Sequence, residues 1–178
     1  KRNGGWNMIT TILWDVDRTL LDFDAAESAA VRSLFEEFGL GPCTDETVRR
    51  YSAINARYWQ RMERGEIDKN EVLVGRFREF FTAEGLDASI ASAFNDQYQL
   101  RLGDTIVFRD DSYRIVSSLC GRVRQFAVSN GTVTAQTKKA APVRSRRADG
   151  RRISLRAARR GKTERSVFRS GLRRHLSC

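Results

Sequence analysis

Apolar positions along this chain change period three times. From Met8 to Trp14 they form a β-branched, apolar run, which reads as a buried strand. From Asp24 to about Gly103 the spacing is helical: Val31, Leu34, Phe35 and Phe38 share one face, and Leu73, Phe77, Phe80 and Phe81 share another. Asp24 with Glu27, and Asp68 with Glu71, form capping-box patterns at two helix starts. Gly39, Gly41-Pro42, Gly65, Gly85 and Gly103 punctuate the helices. Aromatic stripes at this spacing are expected in a core rather than around a ligand. Val123 to Val128 then alternates and is rich in β-formers, so a second strand is predicted there. Ser129-Asn130-Gly131-Thr132 follows, before a helix-compatible run from Val133 to Lys139. Past Lys139 the only apolar alternation is Ile153-Ser154-Leu155.

Charge divides the chain at the same point. The sequence has 178 residues and a net charge of +10. Residues 1–139 carry 19 Lys and Arg against 20 Asp and Glu, while Ala140–Cys178 carries 13 against 2, with Arg outnumbering Lys twelve to one. Such a tail is expected to be disordered, because its low apolar content cannot offset its ordering entropy. One reading is a non-catalytic basic arm that binds nucleic acid through phosphate contacts. The other is a segment never selected as protein, and it is favoured here; sequence-specific nucleic-acid binding is not expected.

Other features narrow the class. No apolar run approaches the roughly 20 residues of a membrane span. Cys43, Cys120 and Cys178 have neither metal-ligand nor disulfide spacing, so a cytoplasmic location is the default expectation. His175 is the sole histidine and lies in the basic tail, so it is not expected to be a ligand. Residues 1–7 precede Met8 and are expected to be translated leader; Asn3-Gly4-Gly5-Trp6 can be encoded by a ribosome-binding sequence, and no signal-peptide core is present.

The candidate chemistry sits at the two strand ends. Asp15-Val16-Asp17-Arg18-Thr19-Leu20-Leu21-Asp22 follows the first strand. Two bare acids, two positions apart, would be solvated loop carboxylates. At the end of a buried strand they repel each other, and a cation relieves that repulsion. Ser129-Asn130-Gly131-Thr132 combines a hydroxyl, a glycine and a helix start, which together can cradle an anion. Loops carry such residues routinely, so the second motif gains weight only beside the first.

Together the two motifs resemble the first and second signatures of the haloacid dehalogenase superfamily of phosphohydrolases. The resemblance implies an α/β fold, a Rossmann-like parallel sheet with an inserted all-helical cap. It implies Asp15 as nucleophile and Asp17 as general acid/base, with Thr19, Ser129, Asn130 and Gly131 around the phosphate. It also implies Mg2+ held by the Asp15 side chain and the Asp17 carbonyl. Arg18 departs from the pattern, which most often has Gly there. Ile54-Asn55-Ala56-Arg57-Tyr58-Trp59, Gly65-Glu66-Ile67 and Arg76-Phe77 resemble the pyrimidine 5′-nucleotidase branch. That branch implies a small phosphorylated substrate, a nucleotide, with Asn55, Trp59 and Arg76 as substrate-selecting cap residues.

The expected organisation is a core from 8–22 and 104–139, a cap from 23–103, and an out-of-frame tail from 140–178. The family's Lys signature and later acidic signature find no match after the second motif. A one-base shift after the Lys139 codon, with wobble positions chosen freely, turns 151–172 into a strand, a turn, a Lys-Pro pair and an amphipathic helix. The expectation is therefore a phosphatase lineage whose core is incomplete and inactive in this chain, with an apolar sheet edge beside Asp15.

Overall fold

The computed structural model describes residues 8–132, 134–135, 154–157 and 174–177. Residues 1–7, expected to be leader, lie outside them. The chain divides into two compact units, one built from 1–23 and 106–178, the other from Asp24–Thr105.

The first unit holds the sheet. Strand β1 (Thr11–Asp15) pairs in parallel with β2 (Arg124–Val128), from Thr11 opposite Arg124 to Asp15 opposite Val128. They fall at the two stretches expected from the apolar pattern, but β1 begins at Thr11 rather than Met8 and is not buried as expected. Parallel pairing needs a long crossover, and the whole helical segment supplies it. Helix α5 (Ser112–Ser118), which the sequence reading did not anticipate, lies just before β2. Val16, Leu20, Leu21, Val116 and Ala127 form the unit's buried apolar cluster, with Trp14, Ile106 and Phe108 packed against it. Gln125 is buried within the unit: its amide accepts from Trp14 Nε1 at 2.9 Å and donates to the Val116 carbonyl at 3.1 Å.

Two short strands come from the basic tail. Strand β3 (Ser154–Ala157) pairs with β4 (Arg174–Ser177), and β4 pairs antiparallel with β2, giving the order β1-β2-β4-β3. A strand edge with unpaired N–H and C=O groups templates pairing by whatever chain lies near it. The remainder of 140–178 lies outside the described residues. On its other side β1 is the edge of the sheet. Leu13 there is 52% exposed, and Met8 and Ile9 are more so. Cys43 is a free thiol.

The second unit is helical: α1 (Phe23–Glu37), α2 (Asp45–Glu63), α3 (Arg76–Ala83) and α4 (Ala91–Arg101). The aromatic stripes form its core. Tyr51 stacks on Phe77 at 5.0 Å, and Phe94 packs against Phe77 and Phe81, each at 5.0 Å. Asp68 caps as expected, accepting from the Glu71 N–H at 2.8 Å. A π-helical turn, Glu71–Gly75, then leads into α3. The wider turn shifts the buried register: Val72 is fully buried, while Leu73, expected in the core, is partly exposed. Among the described residues no helix is long and apolar enough to cross a membrane.

Candidate active site

Parallel pairing in register brings the two motifs out at the same end of the sheet. Asp15 is the last residue of β1 and faces Val128, the last of β2. Chain continuation past those ends puts Val16–Asp22 beside Ser129–Thr132. The Val16 N–H donates to the Val128 carbonyl at 3.1 Å, carrying the ladder one step further. Carboxyl ends of parallel strands are where open α/β sheets bind ligands, because loops diverge there and leave a crevice.

The side chains connect across this boundary. The buried Ser129 hydroxyl donates to Asp17 Oδ2 at 3.1 Å and accepts from the Gly131 N–H at 3.0 Å. Thr19 Oγ1 donates to Asp15 Oδ2 at 2.8 Å. Asp15 and Thr19 are exposed, and Asp17 is partly exposed, so the pair of acids is open to solvent. Thr132 Oγ1 accepts from the Ala135 N–H at 3.2 Å, a cap bond at the start of the next helix. Thr134 and Ala135 are helical; Val133 and 136–139 lie outside the described residues.

Arg18, the departure from the family pattern, has φ +66°. Left-handed backbone costs an L side chain about 1–2 kcal/mol. Its guanidinium lies 5.1 Å from the Phe23 ring centroid. Its carbonyl accepts from Arg109 Nη1 at 2.7 Å. Sequence reading missed Arg109, which has no local pattern to mark it.

Asn55 and Arg76, two of the expected substrate-selecting cap residues, are hydrogen-bonded to each other. Both are buried in the interior of the helical unit. Arg76 Nη1 donates to Asn55 Oδ1 at 2.7 Å, and Asn55 Nδ2 donates to Glu27 Oε1 at 2.6 Å. Ser52 also donates to Glu27, and Arg76 Nη2 donates to Asn95 Oδ1 at 3.3 Å. The Arg76 guanidinium lies within 5.1 Å of the Phe77 and Tyr98 ring centroids. A buried charge requires such partners, and these residues supply them to one another. Glu27, expected to close a capping box, instead turns inward to this network. Burial raises the Tyr51 and Tyr98 hydroxyl pKa values, so both stay neutral. Trp59, the third expected cap residue, is partly exposed on α2.

Among the described residues, no group of three or more His, Cys, Asp or Glu side chains is placed to hold a metal. The donors present are the oxygens of the Asp15–Asp17 loop. Hard carboxylate oxygens of that kind suit Mg2+, which uses one or two carboxylates and keeps water and substrate phosphate in its remaining positions.

No family model matches the chain. HAD-hydrolase YfnB of Bacillus subtilis (strain 168) is 32% identical over 129 residues, covering 72% of this chain and 54% of YfnB. Pyrimidine 5′-nucleotidase PynA of Streptococcus pneumoniae (strain ATCC BAA-255 / R6) is 30% identical over 131 residues, covering 73% of this chain and 54% of PynA. A crystal structure of YfnB bound to magnesium superposes with a TM-score of 0.68 at 31% identity, over 74% of this chain and 58% of that one. L-2-haloacid dehalogenase from Xanthobacter autotrophicus gives a TM-score of 0.51 at 18% identity, over 75% of this chain and 51% of that one, a likeness of fold alone. The chain spans about half the length of the curated relatives it matches.

Proposed function

This chain belongs to the haloacid dehalogenase superfamily of hydrolases, and from that premise we propose a lineage of Mg2+-dependent phosphomonoesterases acting on nucleoside 5′-monophosphates or similar small phosphates. The observation that carries the reading is the Ser129–Asp17 hydrogen bond, which ties the anion-cradle motif to the acid pair. The likeness to PynA supports a nucleotide substrate.

Each residue then has a chemical task. Asp15 attacks phosphorus in line: an Oδ–P bond forms as the P–O bond to the leaving alcohol breaks, giving an aspartyl-phosphate. Asp17 delivers a proton to the departing alkoxide. Water next attacks phosphorus, Asp17 takes its proton, the Asp15–phosphate bond breaks and inorganic phosphate leaves. Thr19 holds Asp15 by one oxygen and leaves the other for attack. The Ser129 hydroxyl and the Asn130 N–H are the donors for the phosphoryl oxygens, joined by the Gly131 N–H once it turns from Ser129 Oγ, to which it donates at 3.0 Å. An arriving phosphoryl oxygen competes with Asp17 for the Ser129 proton. Mg2+, held by the Asp15 carboxylate and the Asp17 carbonyl, would supply positive charge that lets an anionic nucleophile approach an anionic phosphate.

On this reading the chain as written has no measurable turnover, because its sequence offers no counterpart to the family's Lys and later acids. Removing one preorganised charge at such a site costs on the order of 10²-fold or more in rate. The test compares the chain as written with one in which a single base is deleted just after the Lys139 codon. Phosphate release is followed across a nucleoside 5′-monophosphate panel, with and without EDTA. The repaired protein is expected to turn over and EDTA to stop it. A repaired protein that folds but is inert across the panel overturns the nucleotidase reading. Turnover by the chain as written overturns the frame argument.

A further inference from the structure

Among the described residues, two that are not glycine have positive φ: Arg18 at +66° and Asp110 at +45°. They are far apart in sequence, yet one side chain joins them. Arg109 donates from Nη1 to the Arg18 carbonyl at 2.7 Å, and its Nε lies 3.5 Å from Asp110 Oδ2. The contacts around this junction all run between the same two segments. The Arg109 N–H and the Ser112 hydroxyl both donate to the Leu20 carbonyl, at 3.0 and 2.8 Å. The Asp22 N–H donates to the Val107 carbonyl at 2.9 Å, and Leu21 forms an antiparallel bridge with Phe108. Strained backbone persists only where its surroundings over-determine it, and such strain gathers at functional sites.

We infer that the Val107–Ser112 segment clamps the Asp15–Asp22 loop, with Arg109 as a positioning residue that holds the strained Arg18 turn and so fixes where Asp17 and Thr19 point. Arg18 lies between those two residues, so its left-handed turn sets the direction of the backbone on both sides. Its own N–H donates to the Leu21 carbonyl at 2.9 Å and its guanidinium rests on Phe23. Those contacts close the turn from within, and Arg109 grips it from outside. A glycine at position 18 would take the same φ with no steric cost and need no grip. The catalytic value of the clamp rests on the function proposed above; its mechanical action does not.

The test is a double-mutant cycle in the full chain, read by amide hydrogen exchange. Arg109→Ala is expected to speed exchange across 16–22 by about tenfold, the worth of one hydrogen bond, while amides of 24–105 stay unchanged. Arg18→Gly combined with Arg109→Ala is expected to return the loop to near wild-type exchange, because the turn no longer needs holding. If Arg109→Ala does not fold, Arg109→Lys, which keeps charge but loses the fork of donors, takes its place against the same Arg18→Gly background. Unchanged loop exchange, or a loss that Arg18→Gly fails to rescue, overturns the clamp. Binding of inorganic phosphate in the presence of Mg2+, by calorimetry, is measured on the same proteins. The rescue pattern without phosphate binding by wild type leaves the clamp standing and confines it to a mechanical role in this chain. Wild-type binding that Arg109→Ala leaves unweakened removes the clamp's role at the site.

Discussion

Ser129 Oγ donates to Asp17 Oδ2 at 3.1 Å, across 112 positions of sequence. The bond joins a strand-end hydroxyl to a strand-end acid. Ser129→Ala removes a donor to whichever anion is present, the carboxylate or the phosphoryl group. A hydrogen bond to a charged group contributes about 1.5–3 kcal/mol. In a frame-restored, active protein the variant should lose one to two orders of magnitude in kcat/KM, on the same scale. Steady-state kinetics on the best nucleotide of the panel check it; an unchanged kcat/KM would remove Ser129 from the phosphate cradle.

Asp15→Asn should abolish turnover of the frame-restored protein and leave its fold intact. The amide oxygen can still accept from Thr19 Oγ1, which Asp15 Oδ2 does at 2.8 Å. An amide cannot attack phosphorus, nor carry charge to a metal. Circular dichroism monitors the fold and phosphate release monitors the chemistry. Retention of more than a few per cent of the rate, on the scale of a covalent step, contradicts the nucleophile assignment.

Arg76→Ala should destabilise the helical unit severely, by about 3–5 kcal/mol, the usual cost of breaking a buried charged network by removing one partner. Glu27 and Asn55 would lose the cation that organises them. Urea denaturation followed by tyrosine fluorescence measures the loss. A cost below about 1 kcal/mol would mean that the network is more hydrated than its burial indicates.

Gly75→Ala reverses the ordinary sign for a helical glycine. Alanine in a helix interior normally gains about 1 kcal/mol over glycine. A Cβ here would sit 2.4 Å from Glu71 Oε1 and 2.9 Å from Tyr58 Cε1. The Glu71 carboxylate is exposed and can swing away, but the Tyr58 ring is buried. The expected net change is a loss of about 1–3 kcal/mol, read as a fall in the denaturation midpoint. A gain would show that the Tyr58 ring yields.

Acid should weaken the join between α2 and the end of α3. Arg50 forks onto Glu84 with bonds of 2.6 and 2.7 Å, and that hydrogen bond holds the Glu84 carboxyl below its ordinary range. A depressed carboxyl contributes stability that is present above its unfolded pKa and is lost as pH falls through its folded value. Unfolding should therefore ease as pH drops below the ordinary Glu range. Glu84→Gln should flatten that part of the profile, measured as midpoint against pH. An unaltered slope would assign the acid sensitivity to other groups.

Local chemistry made much of the fold legible in the sequence. Strand-forming runs marked the places of β1 and β2, though β1 is not buried as its apolar run suggested. Helical spacing marked Phe77, Phe80 and Phe81, and all three are fully buried. Asp15 and Asp17 stood out because acids at a strand end need a reason. What failed was local reading of residues whose partners are distant. Leu73 was expected inside, but a π-turn adds a residue and rotates the register. Glu27 carried a cap pattern, yet its carboxylate is held by Asn55, 28 positions away. The pairing of β2 with tail strands follows from an open strand edge rather than from apolar patterning. Arg109 reaches Arg18 across 91 positions, a bond that no periodicity announces. Sequence alone determined which residues are apolar, acidic or turn-forming, since those properties belong to the residue. Tertiary structure decided which of them meet, because the long crossover between parallel strands brings distant residues side by side.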